Sequence, residues 1–574
     1  MNPPVPHTFA SASSLARSFS EKCSFGGNAS DSNGNAGSYS YAQFRGTPNE
    51  DRFSTSEEWE FGGHIWQLLQ FSMWLTLYAS IGHGGPTTAE YLSKMFPKHI
   101  RTSMENTFAP ACPRPLSQPQ PPLHSLASSS LSFPSPASLL SSPSSTTKIL
   151  QTNSPASIQL RTSPADMEPT EVNRLNENNL QDVFTEHAVS NFLKHQVRVF
   201  DDELGNAVKA LCPKPERIQD NREAREALYS ANREVIARAR CGSTMAGILI
   251  DKGRAVKGKD GENGNENGKM RMWVCCVGDS SVVLSTKQSG IGGHRKRKSV
   301  LVNKHHTGQV PMEYHRVSLE HPSTERDNIW LDGDDRIFGT LGMTRAFGDY
   351  MYKFPRPFTS ALFSQVPSTA AKSVESVLKY NRTPPYVIAD PFVTFMDLEG
   401  MKEALQSGGS GGGGGNDTDD GDLAVVIYSD GLEALGYKLA VTGRNRRSSG
   451  SDDSSNDLMT STSRALQNHV PRPAPAPPSP ADVIGAYVGH PRTKSRAEFI
   501  HPDGFPENKG KSNEAFDLMY NLLVKSIPAK LKAHLEEQDH ASIGADPNAL
   551  EDLYIDDVTV IVFRPFATFS RPGR

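Results

Sequence analysis

The chain has 574 residues, 36% of them apolar, with 46 Gly and 41 Pro; length alone would allow roughly two to four domains, but the Gly and Pro content assigns much of it to linkers around one large domain. With 60 basic and 64 acidic residues the formal net charge is −4, which excludes a global field that would draw nucleic acid or an anionic membrane and leaves partner choice to a local site. None of the six cysteines has the C-x-x-C spacing of a zinc site.

In chain order, the N-terminal 40 residues read as a Ser-rich tail with Arg17 and no acid before Glu21. That composition fits a mitochondrial transit peptide as well as a disordered tail, so mitochondrial, cytoplasmic and nuclear placement all stay open. Residues 65–81, "IWQLLQFSMWLTLYASI", contain two Gln and fall short of the roughly 20 apolar residues of a membrane span, so no span is expected. "PTTAEYLSKMF" (86–96) opens as a helix does, with Pro and Thr at its start. Residues 108–165 are dense in Pro and Ser and predict an insert without a core, as do 257–269, 407–422 and 443–480.

Between these inserts, "AVSNFLKHQVRVFDDELGNAVKAL" and "NEAFDLMYNLLVKSI" place apolar residues three and four apart, as helices do. "STMAGILI", "RMWVCCVG", "LAVVIYS" and "VTVIVF" are short, β-branched runs that predict strands, the second with Cys275 and Cys276 as buried thiols. Strands and helices in separate runs predict an α+β sandwich, spanning about 41–567 with its inserts. The basic run "HRKRK" (294–298) is expected on a solvated loop, where it could dock an acidic partner.

Three acids recur where an apolar strand meets a turn: Asp279 in "CCVGDSS", Asp430 in "VVIYSDGLEAL" and Asp556 in "YIDDVTVIVF". Such a carboxylate is held by the buried strand yet projects beyond the sheet. With Glu50 of "PNEDRF" they make an all-oxygen set that suits Mg²⁺ or Mn²⁺ better than zinc, although any one alone could simply cap a turn.

With "NEDRF" (49–53), "GHGGPTTAEYL" (82–92), "CGSTMAGILI", "VGDSSVVL", "LGMTRAFGDYMYK" (341–353), "YSDGLEAL" and "DDVTVIVF" in this order, the chain resembles the metal-dependent (type 2C) serine/threonine protein phosphatases. "RTPPYVIADPFVTF" (382–395) is similar to the branch that contains the pyruvate dehydrogenase phosphatases. The resemblance implies a four-layer α-β-β-α sandwich of two antiparallel sheets and a centre of two Mg²⁺ or Mn²⁺ ions. Glu50 and the carbonyl of Gly82 would hold one ion, Asp430 and Asp556 the other, and Asp279 with Asp430 a third, weaker one. His83 would protonate the departing Ser or Thr oxygen. The implied partners are phosphoprotein substrates, with a pyruvate dehydrogenase-like complex among the candidates. Asp51 and Asp349 are expected to support the site rather than hold metal.

Two positions depart from the family pattern. Ser281 stands where the family usually has Arg, and Ile81 stands where it has an Asp bridging both ions. An aliphatic side chain has no lone pair to offer, so Ile81 opens a second reading, a catalytically impaired phosphoprotein-binding scaffold. Residues 61–80 do not alternate as the strand expected before this turn would. A misplaced exon boundary in the translated sequence would produce both features.

Overall fold

The computed structural model describes residues 23–28, 38–44, 51–73, 86–109, 183–254, 256–257, 263–264, 270–288, 296–331, 334–366, 371–401, 423–448, 478–490, 513–526 and 558–566. The chain divides into two compact units, Met1–Thr107 with Glu186–Arg574, and Phe108–Thr185. In the second, the rings of Phe108 and Phe184 lie 5.2 Å apart. Everything below concerns the first.

In chain order the strands are β1 (Cys23–Asn28), β2 (Ser38–Phe44), β3 (Arg52–Thr55), β4 (Trp59–Phe61), β5 (His64–Met73), β6 (Gly242–Arg254), β7 (Val256–Lys257), β8 (Asn263–Gly264), β9 (Arg271–Val277), β10 (Ser281–Gln288), β11 (Lys296–Leu301), β12 (Phe347–Gly348), β13 (Phe392–Asp397), β14 (Leu423–Tyr428) and β15 (Val558–Arg564). The longer helices are α1 (Thr87–Phe108), α2 (Glu186–Leu211), α3 (Arg222–Ala231), α4 (Arg233–Arg240), α5 (Pro311–Glu320), α6 (Ala371–Tyr380), α7 (Asp430–Ser448), α8 (Pro480–Tyr487) and α9 (Glu514–Ser526). One antiparallel sheet runs β1-β2-β15-β14-β10-β11; the other runs β13-β9-β6-β5-β3, with β4 on β5 and β12 on β6.

The four expected runs become β6, β9, β14 and β15, and two layers of apolar contact explain why they read as continuous. In β14, Leu423, Val425 and Ile427 face the core between the sheets. Ala424, Val426 and Tyr428 face a second core, made with Leu432 and Leu435 of α7, Ile484 of α8 and Phe516, Met519 and Leu523 of α9. A strand covered on both faces has no polar side to show. The second sheet is covered in turn by α2, whose buried Val189, Phe192, Leu193, Val197, Phe200 and Leu204 follow the helical period. The rings of Phe96 on α1, Phe200 on α2 and Phe347 on β12 meet at 5.3 to 6.2 Å. The result is the α-β-β-α layering expected from the sequence.

Three expectations need correction or sharpening. Residues 64–73, read as unlike a strand, form β5, paired with β3 and β4 on one side and β6 on the other. Alternation is missing because β5 is an inner strand buried on both faces: Leu69 enters the core between the sheets, while Trp66 packs against Trp273, with ring centroids 6.1 Å apart. Residues 64–73 are therefore a strand, while residues 74–81, which lead into the Gly-rich turn, lie outside the described residues. The basic run is the second case. Lys296, Arg297 and Lys298 lie on β11, and Arg297 turns inward to donate from Nε to Ser285 Oγ at 2.9 Å and from Nη2 to Ser285 O at 3.1 Å. Third, α7 continues to Ser448 and β7 pairs with β8, so ordered backbone reaches into the segments 443–480 and 257–269.

Cys212, Cys241, Cys275 and Cys276 are free and buried. Burial pushes the Cys241 and Cys275 thiols up to about 12. No helix among the described residues is long and apolar enough to cross a membrane.

Candidate metal centre

Asp279 sits in the turn between β9 and β10, and the turn has its shape for stated reasons. Gly278 has φ 96°, and a Cβ there would lie 2.3 Å from Thr244 Cγ2, so only glycine fits without strain. The neighbouring loop clamps the turn from the other side. Asn303 Nδ2 donates to Ser280 O at 2.9 Å, Val282 N donates to Asn303 Oδ1 at 2.7 Å, and Gly278 N donates to His306 Nδ1 at 3.1 Å. The clamp fixes the Asp279 backbone and leaves its carboxylate free of protein donors at one oxygen: Oδ1 is buried and has no partner. Burial pushes the Asp279 carboxyl up to about 6, with His305 pulling it down and Glu433 pushing it further up.

Asp430 reaches the same end of the sheet through register. Ser281 at the start of β10 pairs with Tyr428 at the end of β14; Asp279 lies two residues before the first and Asp430 two after the second, as the first residue of α7. Tyr428 also pairs with Val560 of β15, and Ser429 N donates to Thr559 O at 3.1 Å. Asp51 arrives there too. Its Oδ2 accepts from Thr559 Oγ1 at 2.8 Å, and its carbonyl accepts from Gln43 Nε2 at 3.0 Å. Asp51 is thus tied into the protein at Oδ2 and at its carbonyl.

The other predicted site residues, Glu50, Gly82, His83 and Asp556, together with Ile81, lie outside the described residues. Among the described residues no group of three or more His, Cys, Asp or Glu is assembled to hold a metal ion. What is described fits a hard divalent cation: carboxylate oxygen, fixed at a strand end, desolvated and lacking a protein donor. Asp349 likewise has a buried Oδ1 without a hydrogen-bond partner, and it sits in a different setting. It is buried at the N-terminus of a single helical turn with φ 50°, and its electrostatic neighbours are Lys353, Arg240 and Asp201, with burial pushing its carboxyl up to about 7. It belongs to the support of β6, as Gly242 leaves the space its carboxylate fills.

The structure adds a cluster that the sequence left unseen. Ser281 Oγ donates to Glu433 Oε2 at 2.7 Å and lies 2.8 Å from His305 Nε2. The hydroxyl has one proton and gives it to Glu433, so Nε2–H of His305 is the donor to Ser281. The place where an Arg was expected is therefore filled by a hydroxyl, an imidazole and a carboxylate. Glu433 in the first turn after Asp430 was the one local signal for it.

α1, which starts just after the Gly-rich turn, is anchored at its first turn: Thr88 Oγ1 is 2.7 Å from Arg238 O and 2.8 Å from Cys241 O, at the end of α4. One hydroxyl proton is shared between two carbonyls there.

Residues 170–405 match the family model Protein phosphatase 2C. A protein phosphatase 2C homolog of Schizosaccharomyces pombe is 31% identical over 118 residues, 21% of this chain and 23% of that protein. The mitochondrial [pyruvate dehydrogenase [acetyl-transferring]]-phosphatase 1 of Saccharomyces cerevisiae is 33% identical over 121 residues, 21% of this chain and 20% of its own length. Its Homo sapiens namesake is 27% identical over 124 residues, 21% and 22% of the two chains. The similarity thus spans about a fifth of each relative, as those shares show. Among solved structures, a phosphatase from Toxoplasma gondii aligns over 68% of this chain and 72% of its own, with 11% identity and a TM-score of 0.24.

Proposed function

We propose that this chain is a metal-dependent protein serine/threonine phosphatase. The observation that carries the reading is the juxtaposition of Asp279 and Asp430 at one sheet end by strand register, where Asp279, like Asp349, keeps a buried oxygen without a protein partner. A buried charge left in this state costs stability unless a cation takes it up. In the proposed site Glu50 and the Gly82 carbonyl hold one Mg²⁺ or Mn²⁺, Asp430 and Asp556 the second, and Asp279 with Asp430 a third. Bound divalent cations supply a water activated near neutral pH and neutralise phosphoryl charge. His83 gives its proton to the departing Ser or Thr oxygen, which an imidazole can do near working pH. Ser281, His305 and Glu433 steady the start of α7 and so the backbone of Asp430. The names of the relatives favour phosphoproteins of a pyruvate dehydrogenase-like complex, and with them a mitochondrial location.

Ile81 favours a second reading, a scaffold that binds phosphoproteins in the same cleft without turning them over. Manganese-dependent hydrolysis of a phosphothreonine peptide by the chain as written and by Ile81→Asp tests both. Chelator-sensitive activity in both supports the phosphatase, activity in the variant alone supports the scaffold, and silence in both overturns the site.

A further inference from the structure

Several elements meet at the C-terminal end of α4. A helix leaves its last carbonyls without partners of its own, and two of these, Arg238 O and Cys241 O, are taken up by one side chain of α1: Thr88 Oγ1 donates to them at 2.7 and 2.8 Å. Thr88 is fully buried. Cys241 O also accepts from Asp349 N at 3.1 Å. Gly348, with φ 68°, comes so close that a Cβ there would stand 2.0 Å from Cys241 O, and it pairs with Gly242 at the start of β6. The first turn of α1, the end of α4, the start of β6 and the "FGD" segment therefore share one carbonyl.

Further along α1 the attachment is of another kind. Phe96 meets the rings of Phe200 and Phe347, and the Arg238 guanidinium lies 4.6 Å from the Tyr91 ring centroid. The side-chain hydrogen bonds of Ser93, Lys94 and Arg101 stay within the helix, whereas those of Thr88 leave it. Its place in the chain makes that matter. Glu90 N donates to Pro86 O at 2.9 Å as α1 begins, and only Gly84 and Gly85 separate Pro86 from His83. Two glycines restrain their neighbours little, so the start of α1 is the nearest fixed point for that turn.

We propose that Thr88 is a positioning residue for the phosphatase centre: by clamping the first turn of α1 onto α4, its hydroxyl sets where the Gly82 carbonyl and His83 stand. The roles of Gly82 and His83 are those of the phosphatase reading, on which this proposal rests; the clamp itself is independent of it. Valine matches threonine in shape and lacks the donor, while serine keeps the donor.

Thr88→Val and Thr88→Ser therefore separate hydroxyl from shape. Both are compared with the wild-type full chain, and again in the Ile81→Asp background, by hydrogen exchange and by manganese-dependent hydrolysis of a phosphothreonine peptide. In Thr88→Val the amides of residues 86–92 should exchange at least about tenfold faster, with those of α2 unchanged. Half-maximal activity should need about tenfold more manganese, and kcat should fall at unchanged KM for the peptide. Thr88→Ser should restore both readouts. Unchanged exchange in Thr88→Val, faster exchange spread equally over α2, a serine variant as impaired as the valine one, or a rise in KM at constant kcat would each overturn the proposal. Faster local exchange with no hydrolysis in either background would overturn the phosphatase reading and the positioning role while leaving the clamp, whereas hydrolysis with unchanged exchange would remove the clamp and leave the phosphatase.

Discussion

Asp279 and Glu313 are both buried carboxylates, 9% and 5% exposed, and they are finished in opposite ways. Burial alone would raise Glu313, but Arg345, Arg316 and Thr344 all donate to it, with Thr344 Oγ1 at 2.7 Å and Arg316 Nη2 at 2.9 Å, and they hold its carboxyl down to about 2. Asp279 has no such donors at Oδ1 and is pushed up to about 6. A saturated carboxylate ties α5 to the 344–345 segment and so serves stability. An unsaturated one weakens the empty fold and keeps a lone pair for a cation.

The sharpest way to break this contrast is Glu313→Ala. It leaves two guanidinium groups with a buried partner removed and should cost about 3–5 kcal/mol in urea unfolding; a loss under about 1 kcal/mol would mean that the cluster is not the anchor described. Gly278→Ala comes next, because φ 96° and the Thr244 contact at 2.3 Å leave a side chain no room. A loss of about 1–3 kcal/mol is expected, with manganese-induced thermal stabilisation falling alongside.

Asp279→Asn should act in the opposite direction. A carboxylate whose folded value is raised withdraws stability as pH climbs from its ordinary range through about 6, so at pH 8 without metal the variant should be more stable than the wild type by about 1–3 kcal/mol. With manganese the order should reverse. Equal stability at pH 8 would mean that water already satisfies Oδ1.

Glu313 gives the mirror image in acid. Its lowered value makes its contribution complete above the ordinary carboxylate range and progressively lost as pH falls towards about 2. Stability measured from pH 5 to 2 should therefore fall more steeply in the wild type than in Glu313→Gln. The smallest effect belongs to Ser281→Ala, about 1 kcal/mol for its hydrogen bonds to Glu433 and His305.

Asp279 and Asp430 were legible because each follows a run of apolar, β-branched residues and precedes a turn, a pattern that local sequence carries whole. β5 was not legible. A strand with Trp66 on one face and Leu69 on the other shows no alternation, and its 64–73 run resembles a buried helix or a foreign insert until its neighbours β3 and β6 are known. Arg297 misled for a related reason: a basic run reads as solvated, yet the alternation of β11 turns its middle residue inward to Ser285.

By itself the sequence determined the α+β class, the positions of its main strands, the family resemblance and the two strand-end acids, because period, turn chemistry and motif order are local properties. Only the tertiary structure decided that Asp279 keeps an unpartnered oxygen while Glu313 does not. It also brought Ser281, His305 and Glu433 together. Each of these depends on strand register and packing between residues far apart in the chain, and it is burial by distant neighbours that sets whether a charged group is satisfied.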